Sequence, residues 1–378
     1  MSATERELVR VDGLVNAHTH AAMTLFRNYA DDLPLMQWLE GYIWPAERRL
    51  EAEDVYWGTR LACVEMIRTG TVRFWDMYWH PGASARAVRD SGLRAVIGAP
   101  LIDDGDPAKS PKLREAAERS LEEIAEGGGD AVEPALAPHA IYTVSEESLE
   151  WIAETSAQHG LPIHIHLSET KAEVERCLSD HGERPAVYLD RVGLLGPRTM
   201  LAHCVWLDRS ELELIAERGA TIATNPVANV KLAVGRVFDY RAARAAGVEI
   251  GLGTDGAGSN NSLDLLADAK IFALLQKHEA GDPAAVTASE TWEIATGRRS
   301  RLLDLAGGES ENHILVRRDV PELSLGGLEA GLVYAASGSV VDTTVVGGSE
   351  LMRGGVVEGS DEVVARARER ADRLGLRG

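Results

Sequence analysis

Eight short apolar runs recur along this chain, and their alternation with helical stretches leaves few possible folds. The runs are Leu14–His18, Thr71–Tyr78, Ala95–Ile102, Val132–His139, Pro162–Leu167, Thr199–Val205, Ala220–Asn225 and Val248–Thr254. Between them lie segments whose apolar residues return with helical period, such as Val55–Arg68, Ser84–Asp90, Glu146–His159, Glu173–Asp180, Arg209–Arg218 and Tyr240–Ala246. Many stop at a glycine just before the next run (Gly70, Gly92, Gly160, Gly219, Gly247), as helices do when their last residue turns left-handed. Strands that alternate with helices of this length pair in parallel through right-handed crossovers. Eight such units predict an α/β chain closed into a (β/α)8 TIM barrel, typically ~250 residues, here over residues 14–305.

The rest of the chain has a different texture. Short β-like runs at His313–Val316, Gly331–Ala335, Asp342–Val346 and Gly355–Val357 are broken by Gly and Ser. Residues 1–13 plus 306–358 are therefore expected to form a small β domain, a reduced β-sandwich built from the chain ends. Residues 359–378 are expected to hold an arginine-rich amphipathic C-terminal helix, over 361–375.

Composition narrows the function. The formal net charge is −20, and six of the 39 basic residues are lysines. A nucleic-acid partner needs a basic face to replace counterions, so none is expected. Two readings of the acidity stand: an ordinary acidic cytosolic enzyme, or a halophilic protein whose acidic self-repulsion is screened by salt. The scarcity of lysine favours the second, for which a denaturation midpoint that rises from low to molar salt is the expected result. The chain has no run of 18 apolar residues and starts with the polar stretch MSATERELVR, so neither a membrane span nor a secretory leader is expected. Cys63, Cys177 and Cys204 form no CxxC pair, which suits a reducing, cytoplasmic setting.

In a barrel of this kind, chemistry collects at the C-terminal ends of the strands. Six of the eleven histidines fall there or within strands: His18, His20, His139, His164, His166 and His203. Side chains two apart share one side of a strand, so His18-Thr19-His20 can offer two imidazoles to one ion. His164-Ile165-His166 repeats the spacing; one of that pair suffices as a ligand, and the other can be a core histidine bonded to backbone. Asp255, in Gly-Leu-Gly-Thr-Asp-Gly, is placed to project a carboxylate into the barrel mouth.

The stretches Asn16-Ala17-His18-Thr19-His20, His166-Leu167-Ser168-Glu169-Thr170, Ala202-His203-Cys204 and Gly253-Thr254-Asp255-Gly256, in this order, resemble the amidohydrolase superfamily of metal-dependent hydrolases. Within it the chain is similar to the 5-methylthioadenosine/S-adenosylhomocysteine deaminase group. That likeness is carried by Ala22–Arg27, Asp32–Leu39, Pro138-His139 and Ser259–Asp264.

The resemblance implies His18, His20, His166 and Asp255 as ligands of one divalent ion, Zn²⁺ first and Fe²⁺ second. Such an ion lowers the pKa of a water from ~15.7 toward ~7. It further implies Glu169 as the proton shuttle to the ring nitrogen and the leaving ammonia, also touching substrate. His203 would hold the attacking water, and Asp255 would accept its proton. His139 would bond a purine ring nitrogen, Glu47 the ribose hydroxyls, and Trp38 would pack on the substrate. Dinuclear members of the superfamily carry a carboxylated lysine at the end of the fourth strand. Here that strand ends Ala137-Pro138-His139, which points to a single ion.

The expected reaction is hydrolytic deamination of an adenosine-type nucleoside: adenosine, 5′-deoxyadenosine, 5-methylthioadenosine or S-adenosylhomocysteine. Guanine-type deamination or triazine-type chlorohydrolysis is the alternative within the same ligand set. A non-catalytic barrel scaffold is the remote one, since this chain keeps all four ligands and Glu169. Two features depart from the family. Gly98-Ala99-Pro100 stands where homocysteine-type enzymes carry an arginine, which favours a neutral 5′ group unless Lys109, Lys112 or Arg114 substitutes. The segment before His18 is shorter than usual, and the turn Ala295–Ser300 is atypical. They imply either a reduced sandwich, whose stability can depend on a homo-oligomer, or a misassigned chain start.

Overall fold

The computed structural model describes residues 7–304 and 311–376. Twelve strands are present among them. They are β1 (Leu8–Asp12), β2 (Leu14–Thr19), β3 (Thr71–Met77), β4 (Arg94–Leu101), β5 (Val132–Pro138), β6 (Ile163–Leu167), β7 (Thr199–His203), β8 (Thr221–Thr224), β9 (Glu249–Leu252), β10 (His313–Arg317), β11 (Val341–Val346) and β12 (Ser349–Met352). Strands β2 to β9 form a closed parallel barrel in chain order, and β2 meets β9 at Asn16 and Leu252. Helices lie between the strands, and this is the (β/α)8 architecture that the alternation predicts.

Local chemistry explains the boundaries. The helix Glu146–His159 starts where the Ser145 hydroxyl accepts from Ser148 N and stops at Gly160 with φ +70°. Asp208 and Glu211 form a capping box for Arg209–Arg218, which Gly219 closes. Along the strands, alternate residues divide between two cores. Val15, Trp75, Val96, Met200 and Ala223 pack together with Leu303 inside the barrel. Leu14, Phe74, Ala95, Leu201 and Ile222 belong to the larger core under the helices. Period-two alternation inside a barrel buried on both faces accounts for this split.

Outside the barrel, β1, β10, β11 and β12 pair antiparallel into one four-stranded sheet in that order. Two expected runs are corrected. Gly331–Ala335 is not a strand: Leu328–Tyr334 is a helix that packs on the helices Leu265–Ala280 and Ala288–Ala295. Gly355–Val357 is not a strand either: Val356 makes only an isolated bridge to Arg353, and the strand of this region is β12, Ser349–Met352. The residues 1–6, 305–310 and 377–378, which include the polar chain start, the 305/306 junction and the end of the 359–378 segment, lie outside the described residues.

The helix Ser360–Leu374 returns to the mouth of the barrel. Its Ala367, Ala371 and Leu374 share a core with Met23, Phe26 and Trp38, on the segment that follows β2. Arg373 Nε donates to Asp54 Oδ1 at 3.0 Å and anchors the helix to the first barrel helix, Ala52–Arg68. A fully buried leucine contributes about 2 kcal/mol, so this helix supports the walls of the mouth. Among the described residues, no helix is long and apolar enough to cross a membrane.

Candidate metal centre and substrate pocket

The strand ends bring the reactive side chains to one place. His18 lies in β2 and His20 directly after it; their rings are 4.9 Å apart. His166 lies in β6, with its Nε2 3.2 Å from Nε2 of His20. Asp255 follows β9, and its Oδ1 stands 3.3 Å from Nε2 of both His18 and His20. Gly253 makes this possible, since a Cβ there would come within 2.2 Å of Asn225 Oδ1 and 2.9 Å of His18 N. Asn16 then pins the turn by donating to Thr254 Oγ1 and accepting from Thr254 N. Asp255 itself is left-handed, at φ +61°, and its Oδ2 accepts from the Ser259 hydroxyl at 2.7 Å.

The arrangement fits a divalent ion. The Met77 carbonyl accepts from His20 Nδ1 at 2.6 Å, and the His139 carbonyl accepts from His166 Nδ1 at 2.8 Å. A carbonyl demands the hydrogen on Nδ1, so both Nε2 atoms carry a bare lone pair facing the centre. His18 Nδ1 pairs with His164 Nε2 at 2.8 Å, and the buried His18 Nε2 has no hydrogen-bond partner. Donor separations of 3.2 to 3.3 Å match the edge of a tetrahedron with bonds of ~2.0–2.1 Å, about 3.4 Å. The ligand atoms of His18, His20 and His166 lie within 4.8 Å of one another, as do those of His18, His203 and Asp255.

The electrostatics agree. Burial pushes His18 down to about 3 and holds His164 and His166 well below the ordinary imidazole value, so all three rings are neutral. Burial opposes the charge on Asp255, but the surrounding imidazoles of His18, His20 and His203 hold its carboxyl far below the usual range. His164 differs from the simple core histidine expected: its partner is the His18 ring, not backbone.

Glu169 and His203 flank this centre. The Glu169 carboxylate stands 3.9 Å from His203 Nδ1, and burial raises its proton affinity. His203, at the end of β7, bonds Asn229 Oδ1 through Nδ1 at 2.8 Å. Burial alone would lower its pKa, but Glu169 and Asp255 outweigh this and raise it.

A cavity of about 740 Å³ opens above the centre and includes His20, Trp38, Glu47, His139, Glu169 and Asp255 in its lining. His139 is driven down to about 4 by burial and bonds Thr143 Oγ1 through Nδ1 at 2.9 Å. To donate from Nε2 to a purine ring nitrogen, His139 must take its Nδ1 hydrogen bond from the Thr143 hydroxyl. The Glu47 carboxylate accepts from Tyr78 Oη at 2.7 Å and from Trp79 Nε1 at 3.2 Å. Of the three cations considered for an anionic 5′ tail, none lines the cavity. Lys109 is paired with Asp104, and Arg114 bonds Glu147 and stacks over Trp151. Lys112 is exposed. The outer wall instead presents Asp104 and Glu123, with the exposed Arg48 beside Glu47.

The sequence reading missed Tyr78, Trp79, Asn229 and Ser259 as residues that hold those named above. Asn229 carried no local signal, since it lies in the helix Pro226–Lys231 that follows β8.

Comparison with known proteins gives a consistent result. The amidohydrolase family model matches residues 11–307. A 5′-deoxyadenosine deaminase of Methanoregula boonei is 45% identical over 96% of this chain and 83% of its own length. The 5-methylthioadenosine/S-adenosylhomocysteine deaminase 1 of Archaeoglobus fulgidus is 42% identical, over 96% and 88%. A solved adenosine deaminase from Xanthomonas campestris, with bound zinc, superposes with a TM-score of 0.90 at 34% identity, covering 97% of this chain and 86% of that one.

Proposed function

Because this chain belongs to the amidohydrolase family, we propose that it is a hydrolytic deaminase of an adenosine-type nucleoside with a neutral 5′ group, working with one zinc ion. The observation that carries this reading is the convergence of three bare imidazole Nε2 atoms and the Asp255 carboxylate at the floor of a nucleoside-sized cavity, with Glu169 at its edge. His18, His20, His166 and Asp255 hold the ion, which supplies the Lewis acidity that makes water a nucleophile at neutral pH. The set of three nitrogens and one oxygen favours zinc over iron. The strand-end position a bridging lysine would need is His139, consistent with a single ion.

The chain's own residues manage the protons. Asp255 is within reach of the site where water attacks and can take its first proton. Glu169, whose proton affinity is raised by burial, gives its proton to the purine ring nitrogen, takes the second proton of the added water and hands it to the departing ammonia, and the proton held by Asp255 then restores Glu169. His203, fixed by Asn229, holds the attacking water in place. His139 binds the base, Trp38 packs on the substrate, and Glu47 binds the ribose hydroxyls with the lone pairs that Tyr78 and Trp79 leave free.

The 5′ preference follows from the outer wall. A carboxylate tail meets Glu123 there, beside an Asp104 already paired with Lys109, and the charge of Arg48 is solvated. Ammonia release is the test, with adenosine, 5′-deoxyadenosine, methylthioadenosine, S-adenosylhomocysteine, guanine and a chlorotriazine as substrates. The expected result is that kcat/KM for 5′-deoxyadenosine exceeds that for S-adenosylhomocysteine by at least tenfold, about 1.4 kcal/mol. Absence of turnover with every adenosine derivative overturns the proposal.

A further inference from the structure

We propose that Glu173 is a positioning residue for Glu169, which it aims by clamping the backbone on which Glu169 stands. The helix Lys171–His181 has Thr170 as its N-cap, with Glu173 N donating to the Thr170 hydroxyl at 3.2 Å. Thr170 and Glu173 have the spacing of a capping box, in which the glutamate would reach back to the N–H of the cap residue itself. Here it reaches further. Glu173 Oε1 accepts from Ser168 N at 2.8 Å, and Oε2 accepts from Glu169 N at 2.9 Å. Both oxygens of one buried carboxylate thus hold two successive N–H groups just before the helix.

Those two residues need holding. Ser168 is left-handed, at φ +50°, a conformation that a residue with a Cβ seldom adopts unless its surroundings impose it. Its carbonyl is fixed from the other side by Trp206 N at 2.8 Å. The Glu169 carboxylate stands 3.9 Å from His203 Nδ1, beyond hydrogen-bond reach, so this contact does not fix it and its placement depends the more on where its backbone is held. The chain therefore turns sharply out of β6, between His166 and Glu169, on a framework made by Glu173 and Trp206.

The choice of a carboxylate is itself informative. Burial pushes the Glu173 carboxyl up to about 7, although the two N–H groups pull it down. A hydroxyl or an amide would cap the helix at lower desolvation cost. Only a carboxylate accepts from two parallel N–H groups with equivalent oxygens.

This inference rests on Glu169 being the proton carrier, so the test separates the two. Glu173→Ala and Glu173→Gln are prepared zinc-loaded, alone and in a Glu169→Gln background, and adenosine deamination is measured with zinc content. A displacement of the catalytic group by about 1 Å costs on the order of 100-fold in rate, so Glu173→Ala is expected to lower kcat by about that factor. KM should stay within about threefold and zinc content unchanged, since the binding residues and ligands are untouched. Glu173→Gln keeps one acceptor oxygen and should lose about tenfold. In the Glu169→Gln background the loss from Glu173→Gln should shrink to less than about twofold, because the group being aimed is gone.

Wild-type kcat in Glu173→Gln overturns the inference, as does a parallel loss of kcat, KM and zinc, or a full additive loss in the Glu169→Gln background. Should Glu173→Ala fail to fold, the isosteric glutamine variant decides. A fully active Glu169→Gln enzyme would instead remove the premise, whatever Glu173 does.

Discussion

Glu169→Gln is expected to lower kcat by at least about 10³-fold, near 4 kcal/mol of transition-state stabilisation, and to leave zinc content unchanged. The substitution keeps the size and planarity of the side chain and removes its ability to give and take a proton. Glu169 lies three residues past His166 but is not one of the groups that converge on the ion, so the metal site should not sense the change. Its buried position beside Asp255 raises its proton affinity, as a group that must hold a proton and then deliver it requires. Steady-state ammonia release gives kcat and KM, and elemental analysis gives the metal. Zinc falling in step with kcat would make the role structural, and unchanged kcat would move the proton transfer to another residue, with His203 the nearest candidate.

The barrel was legible because its strands are buried on both faces and its helices stop at left-handed glycines. Both leave marks in a single sequence: apolar runs of strand length and Gly just before them. The helices Glu146–His159, Arg209–Arg218 and Tyr240–Ala246 begin and end where their capping residues indicate. The peripheral part was less legible for a physical reason. Leu328–Tyr334 is a short, mainly apolar helix ending in Val333 and Tyr334, and a run of seven residues is too short for its period to tell a helix from a strand. β12 is exposed at its first two residues, so it lacks the apolar mark, although Gly347-Gly348 between it and β11 is a two-residue hairpin signal.

At the site, the histidines and Asp255 could be picked because their strand-end positions repeat. Their supports could not. Tyr78 and Trp79 reach Glu47 from 31 and 32 residues away, and Asn229 reaches His203 from 26. Such pairings depend on barrel closure, which brings together residues that no local pattern links. Glu173 differs in standing close in sequence to what it holds: it has capping-box spacing from Thr170, but the fold diverts its carboxylate to Ser168 N and Glu169 N.

The two histidines of β6 give the sharpest contrast, because they share a strand face and differ in what their rings meet. His166 directs a bare Nε2 at the centre, whereas His164 Nε2 is used on His18 Nδ1. His166→Ala deletes one of four donors and is expected to leave less than ~0.2 equivalents of zinc after reconstitution, with kcat at background. His164→Ala keeps all four donors and removes only the partner of His18. The ring of His18 then loses the bond that fixes its orientation. A loss of this kind typically costs 10–100-fold in metal affinity. The protein should therefore bind zinc stoichiometrically at high metal concentration, regain most of its kcat there, and release the ion more readily to a competing chromogenic chelator. The reverse pattern, with His164→Ala metal-free and His166→Ala merely weakened, would exchange the two assignments and with them the geometry on which the proton-transfer roles depend.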